Sequence, residues 1–283
     1  LNAPRVGVNN IALEAALDRL NAANLTALPV FARSASNNPG AGVLGGLGPK
    51  DIESDLSGKI SIAGIPGAML GSADLRFGKG HLAAEPFESI VARATFSEAN
   101  VNLENLDARF DVGHITASGT FNTANKLGDL QATGLAIQLD RLATLAGKSG
   151  LPRLAGTADF TAHISGNFLG KDFSSYQITF DMQGSGVAIG GQPVKSLELR
   201  GRTENQKLKV TFKTDWLGQS QLIAVGVDLA NEQLPATIDA QLSDVDLTKI
   251  LAIALPNTGV KLTGRASATL KASGRLIDED GEF

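Results

Sequence analysis

Gly40-x-Gly42-x-x-Gly45 carries the letters of a dinucleotide-binding turn, in which glycines let the backbone approach a pyrophosphate. That chemistry needs a strand before the turn and a helix after it. Here polar residues broken by Pro39 precede the glycines and Pro49 follows them, so the motif predicts no cofactor. His81, His114 and His163 are the only histidines, and none stands two, three or four residues from another, so no local metal pair exists. Each reads as a histidine on an exposed strand face. Ser118 lies in Ala117-Ser118-Gly119 rather than in a G-x-S-x-G elbow. Asp278, Glu279, Asp280 and Glu282 form an acidic end that reads as a solvated loop rather than a calcium site. Lys207, Lys209 and Lys213 have the charge to meet lipid headgroups, although lysines are common on the outer faces of strands. These residues point to no catalysis, no metal and no cofactor.

The elements that carry them are predominantly strands. Lys207–Lys213 alternates Leu208, Val210 and Phe212 against Lys207, Lys209, Thr211 and Lys213. Ala158, Phe160, Ala162 and Ile164 share one face opposite Asp159, Thr161 and His163. Ala266, Ala268, Leu270 and Ala272 do the same opposite Ser267, Thr269 and Lys271. Further period-two runs carry Ile60/Ile62, Leu75/Phe77, Ile115/Ala117/Phe121, Ile178/Phe180/Met182, Leu197/Leu199, Val225/Val227/Leu229 and Ile238/Ala240/Leu242. Gly, Asn, Asp and Pro punctuate them as hairpin turns would. The spacing predicts helices over 11–28, where Leu13, Leu17 and Leu20 stand at i, i+4 and i+7, and over 139–146 and 247–254.

One stretch is written twice. Leu154, Gly156, Ala158, Thr161, Ser165 and Gly166 recur as Leu262, Gly264, Ala266, Thr269, Ser273 and Gly274, at an offset of 108 without a gap. Upstream, 137–142 falls on 245–250. Leu17-Asp18-Arg19-Leu20 recurs as Leu139-Asp140-Arg141-Leu142, and each predicted helix is followed by Leu-x-Gly at Leu56, Leu154 or Leu262. The expectation is therefore three copies, the first lengthened by a Gly/Asn/Pro-rich loop. Residues 1–50 form its strand/helix and loop, and 51–283 form a repetitive segment with units starting near 137 and 245.

Composition limits the alternatives. The 43% hydrophobic residues supply an apolar interior, but with one Trp, one Tyr and 12 Phe it must be built from Ala, Val, Ile, Leu and Phe. The same scarcity removes the aromatic girdles of a transmembrane barrel. A formal charge of −4 and the absence of a Lys/Arg-rich block argue against nucleic acid as a partner. No cysteine is present, which suits an oxidising compartment. The longest apolar run, Ile250–Leu255, is far short of a bilayer span. With no leader and an initial Leu, the chain reads as a segment of a longer protein.

Leu103–Phe121 (LENLDARFDVGHITASGTF) and the repeated unit of helix, Leu-x-Gly and strand ending Ser-Gly resemble the AsmA-like/TamB superfamily of bacterial envelope proteins. The likeness covers most of residues 51–276. It implies an all-β fold, an elongated curled antiparallel sheet (β-taco) with a hydrophobic groove and a few short helices, built here from repeats of about 108 residues. It also implies a periplasmic location with an inner-membrane anchor outside this sequence, phospholipids as partners, and an outer-membrane barrel protein of the assembly machinery as a further one. On this reading a lipid groove is lined by Ile60, Ile62, Leu75, Phe77, Ile115, Phe121, Ala158, Phe160, Ala162, Ile164, Ile178, Phe180, Leu197, Leu199, Leu208, Val210, Phe212, Ala266, Ala268, Leu270 and Ala272. The residues alone fit a dry core as well. A scaffold for protein assembly by β-augmentation and an adhesive stalk are the competing roles.

Overall fold

In the computed structural model the described residues are 11–21, 52–65, 68–82, 85–141, 154–169, 173–216, 220–248 and 263–276. Strands run β1 Ile11–Asn21, β2 Ile52–Glu53, β3 Asp55–Ile65, β4 Ala68–Phe77, β5 Gly80–Leu82, β6 Glu85–Phe87, β7 Ser89–Ser97, β8 Asn100–Arg109 and β9 His114–Asn122. They continue as β10 Leu127–Gln138, β11 Leu154–Asn167, β12 Gln177–Ile189, β13 Gln192–Pro193, β14 Leu197–Glu204, β15 Lys207–Thr214, β16 Gln221–Asp228, β17 Pro235–Asp246 and β18 Arg265–Arg275.

The fold is all-β. Fifteen antiparallel strands share one sheet in the order β1-β3-β4-β7-β8-β9-β10-β11-β12-β14-β15-β16-β17-β18, with β13 beside β12. The order has two different ends and does not close into a barrel. Nearly every strand pairs with its successor, as short turns between alternating runs require. A second sheet, β2-β5-β6, is small. The chain divides into two compact units, Leu1–Asp111 with Ile115–Leu130, and Val112–His114 with Gln131–Phe283.

The helix expected over 11–28 is not formed. Ile11–Asn21 is a strand that pairs antiparallel with β3 from Ile11↔Gly64 to Asn21↔Asp55. Leu13 and Leu17 are four apart, a spacing that keeps them on one face of a strand as well as of a helix. Leu20, an odd step further, is returned to that face by a bulge: the register shifts between Leu17 and Leu20, and Arg19 takes φ +47°. The Arg19 N–H donates to Ser57 Oγ at 3.3 Å. Pairing with a neighbouring strand thus overrides the local spacing. Residues 22–28 lie outside the described residues, as do the Gly40–Gly45 motif and the acidic 278–282. Of the other two expected helices, Leu139–Arg141 and Leu247–Thr248 are helical and the remainder lies outside the described residues.

Within the first unit, Leu56 and Phe87 are almost wholly buried. Phe87 forms a cluster with Ile90 and Ala108, against which Phe77, Leu82, Leu106 and Phe110 pack. Within the second unit two clusters stand at opposite ends of the strands. One joins Leu139, Ala158, Val187, Ile189, Val194 and Leu197, with Trp216 against it. The other joins Val227, Leu229, Leu234 and Ala236, with Phe173 and Tyr176 against it.

Candidate functional site

Strand alternation and register build one uncharged face in each unit. In the second unit, Phe160↔Met182↔Leu199↔Phe212↔Ile223↔Ala240↔Leu270 is a single cross-strand row over seven strands. Beside it runs Ala162↔Phe180↔Gly201↔Val210↔Val225↔Ile238↔Ala272. Ile164 opposes Ile178, Leu208 opposes Val227, Ala268 opposes Leu242 and Ala266 opposes Val245. Ala158 and Leu197 flank Gly184 and belong to the first end cluster. Most of the middle residues are half-buried, whereas Ile238 and Leu270 are 39% and 56% exposed. The face therefore opens towards β18.

In the first unit Ile60 opposes Ala73, Ile62 opposes Gly71, Leu75 opposes Gly58 and Ala92, and Phe77 opposes Leu56 and Ile90. Ile115 and Phe121 share one face of β9 with Ala117 and Gly119 and are half-buried.

Residues that alternation counts alone pass over also line this face. Gly201 is buried beneath the Phe180 ring: a Cβ there would collide with that ring. Gly71 stands in the same relation to Phe96, and Gly134 to Phe160. Glycine leaves a hollow that an aromatic ring on the next strand fills. Thr203, Thr214 and Gln221 are buried polar residues on the same face, and each is hydrogen-bonded, as burial demands. Thr203 Oγ1 accepts from the Ile178 N–H at 3.1 Å, and Thr214 Oγ1 from the Trp216 N–H at 3.1 Å. The Gln221 amide donates to the Ser243 carbonyl at 3.0 Å and accepts from the Ser243 N–H at 2.8 Å. The sequence signal for Ile223 is its period-two spacing from Val225 and Val227; the glycines and buried polar residues needed the register.

Charge is confined to the opposite face, where ion pairs cross the strands: Arg200–Asp181 at 3.1 Å, Lys209–Glu204 at 2.7 Å, Lys271–Asp239 at 3.7 Å and Arg93–Asp74 at 3.4 Å. Lys209 holds the Glu204 carboxyl below its usual range through their hydrogen bond and charge. Glu88 likewise raises Lys79 through the hydrogen bond it accepts at 2.9 Å. Burial raises the Tyr176 phenol, which stacks near Phe168 with centroids 6.0 Å apart.

A hollow of about 590 Å³ takes three consecutive residues from each of β15 to β18. Its central row, Val210, Val225, Ile238 and Ala272, points to the apolar side. Their neighbours Lys209, Thr211, Ala224, Gly226, Thr237, Asp239, Lys271 and Ser273, which point to the polar side, line it as well. A smaller hollow of about 260 Å³ is lined by residues 131–133 of β10, 161–163 of β11 and 179–181 of β12. Val210 and Ala272 line the first hollow and Ala162 and Phe180 the second, so four of the groove residues expected from sequence stand at these hollows. Among the described residues no three His, Asp or Glu side chains gather as metal ligands, and no helix is long and apolar enough to cross a membrane. No protein-family model matches the chain, and neither a curated protein nor a solved structure matches it significantly.

Proposed function

We propose that this chain is a non-enzymatic lipid-transfer conduit of the bacterial periplasm, of the AsmA-like/TamB kind, carrying phospholipid acyl chains on its uncharged face between the inner and outer membranes. The observation that carries this reading is the pair of apolar rows that cross seven strands without a charge and leave Ile238 and Leu270 exposed on the last two strands. An acyl chain of about 16 carbons costs on the order of 12 kcal/mol in water, at roughly 0.8 kcal/mol per methylene. A strip of aliphatic and Phe side chains shelters it at successive positions without fixing it in one pocket. About six strand residues span roughly 20 Å, similar to an extended acyl chain.

The curled sheet with a groove and the repeat of about 108 residues belong to the same reading. Features at that offset support the repeat. Ala136 and Asp244 take φ +53° and +51°. Their N–H groups donate to Asp159 Oδ1 at 2.7 Å and Ser267 Oγ at 2.9 Å, and helical turns open at Leu139 and Leu247.

The test is to purify the protein without detergent, extract it with organic solvent and quantify phospholipid by mass spectrometry. Wild type is expected to carry stoichiometric lipid. Ile238→Asp and Leu270→Asp, on the open part of the apolar face, are expected to lose it. Leu222→Asp, 42% exposed on the other face, is expected to retain it. A well-folded wild type free of lipid, or equal lipid in all four proteins, would refute the conduit.

One observation favours a second reading, a scaffold for outer-membrane protein assembly. Among the described residues β18 is paired with β17 alone, and it is exposed along nearly its whole length, as a strand open to β-augmentation would be. A proline at Thr269 would then abolish client binding and spare lipid binding.

A further inference from the structure

Where the registers of β12 to β18 set one charged residue directly opposite another, the signs are opposite, as with Asp181 and Arg200, Glu198 and Lys213, or Asp239 and Lys271. One pair breaks the rule. Arg202 of β14 stands opposite Lys209 of β15, and like charges so placed weaken a sheet. The neighbouring acids do not relieve it. Asp181 is held by Arg200 at 3.1 Å and Glu204 by Lys209 at 2.7 Å. Among the described residues Arg202 is in no ion pair, and its side chain is exposed. Lys207 and Lys213, by contrast, face Glu204 and Glu198, so the sheet itself accounts for them.

The row that holds this pair crosses six strands as Thr179, Arg202, Lys209, Gly226, Thr237 and Ser273. It carries cations and hydroxyls but no carboxylate, whereas the rows on either side carry both signs. At Gly226 the row loses its side chain. Gly226 and Ala224 lie beneath the hollow of about 590 Å³, with Lys209 on one side and Thr237 and Ser273 on the other. The Thr237 hydroxyl leans over the glycine, 3.1 Å from where a Cβ at 226 would stand. Two strand spacings, about 10 Å, separate the backbones of Lys209 and Thr237.

We infer that this row binds a phosphate ester, its phosphate held by Arg202 and Lys209 and its remainder lying over Gly226 in the hollow. A guanidinium presents paired N–H groups that match two phosphate oxygens, and an ammonium adds a compact charge. An anion between them turns a repulsive pair into a clamp, which explains a placement that the fold alone disfavours. The hollow has the size of a small-molecule site. Thr237, Ser273 and Asp239 line it with hydrogen-bonding groups, so the remainder is hydroxylated, as in a glycerol or sugar phosphate.

This inference concerns the polar face and does not rest on the conduit reading. At constant ionic strength, glycerol 3-phosphate is titrated into the protein and followed by amide chemical shifts. Retention on phosphatidylcholine vesicles, with and without phosphatidylglycerol, is measured by cosedimentation. Saturable shifts are expected at Arg202, Lys209, Gly226 and Thr237. Arg202→Gln and Lys209→Gln should each weaken binding about tenfold, the loss of a charge-assisted hydrogen bond. Lys213→Gln, outside the row, should weaken it by less than about twofold. Because Arg202 opposes Lys209, Arg202→Gln should have a urea midpoint no lower than that of wild type, which separates lost binding from lost folding. Binding of glycerol 3-phosphate alone assigns a free phosphate ester. Retention on the phosphatidylglycerol vesicles, abolished by Arg202→Gln, assigns a lipid headgroup. No response to either probe, shifts that chloride reproduces, equal weakening by Lys213→Gln, or a lowered midpoint for Arg202→Gln would overturn the inference.

Discussion

Gln221 is the residue on which the geometry of β17 can be tested most sharply. Its side chain is 1% exposed and holds both backbone groups of Ser243. There the register against β18 shifts between Leu242 and Val245, and Asp244 is at φ +51°. Gln221→Met keeps most of the volume and removes both hydrogen bonds. Each stranded group costs about 1–3 kcal/mol, and since Ser243 is itself exposed, water recovers part of that, leaving a loss of about 2 kcal/mol. With a urea slope of about 2 kcal/mol/M, the midpoint should fall by about 1 M. Trp216, the only tryptophan, packs against the Leu139–Leu197 cluster of the same unit and reports the transition by fluorescence. Gln221→Glu adds a pH signature. The introduced carboxyl faces the Ser243 carbonyl in a buried site, so its folded pKa is raised. Its destabilisation should be absent below the ordinary carboxyl range and grow as pH rises above about 4.3. A midpoint shift under about 0.3 M for the Met variant, or a pH-independent Glu variant, would show that Gln221 does not hold the bulge.

Gly201→Ala should destabilise by about 1–3 kcal/mol, because the added methyl meets the Phe180 ring, and Phe180→Leu in the same chain should restore part of the loss in urea titrations. The Glu204 carboxyl, held below its ordinary value near 4.5 by Lys209, contributes stability at neutral pH that is lost as pH falls through its folded value. Carboxyl-detected NMR titration should show that depressed midpoint, and Lys209→Met should return it towards 4.5. An unchanged midpoint in the variant would assign the shift to another group.

The strands were legible because the sheet gives each one a single apolar side. Lys207–Lys213 could be read residue by residue, and its register with β14 and β16 brings Val210 against Gly201 and Val225. Ile11–Asn21 was misread because Leu13 and Leu17, four apart, fit both periods, and Leu20 supplied a false third point for a helix. Only the neighbouring β3, with Ser57 beside Arg19, makes the bulge that reconciles Leu20 with a strand.

By itself the sequence determined a chain of alternating strands, without cysteine and with one uncharged face per strand. Local alternation encodes such a face because side chains point to opposite sides at every step. Tertiary structure decided which strands lie side by side, and so which faces merge. The glycine hollows under Phe96, Phe160 and Phe180 arise from that register, as does the buried amide of Gln221 on the backbone of Ser243. The apolar rows across seven strands are likewise relations between segments far apart in the chain, and no local pattern contains them.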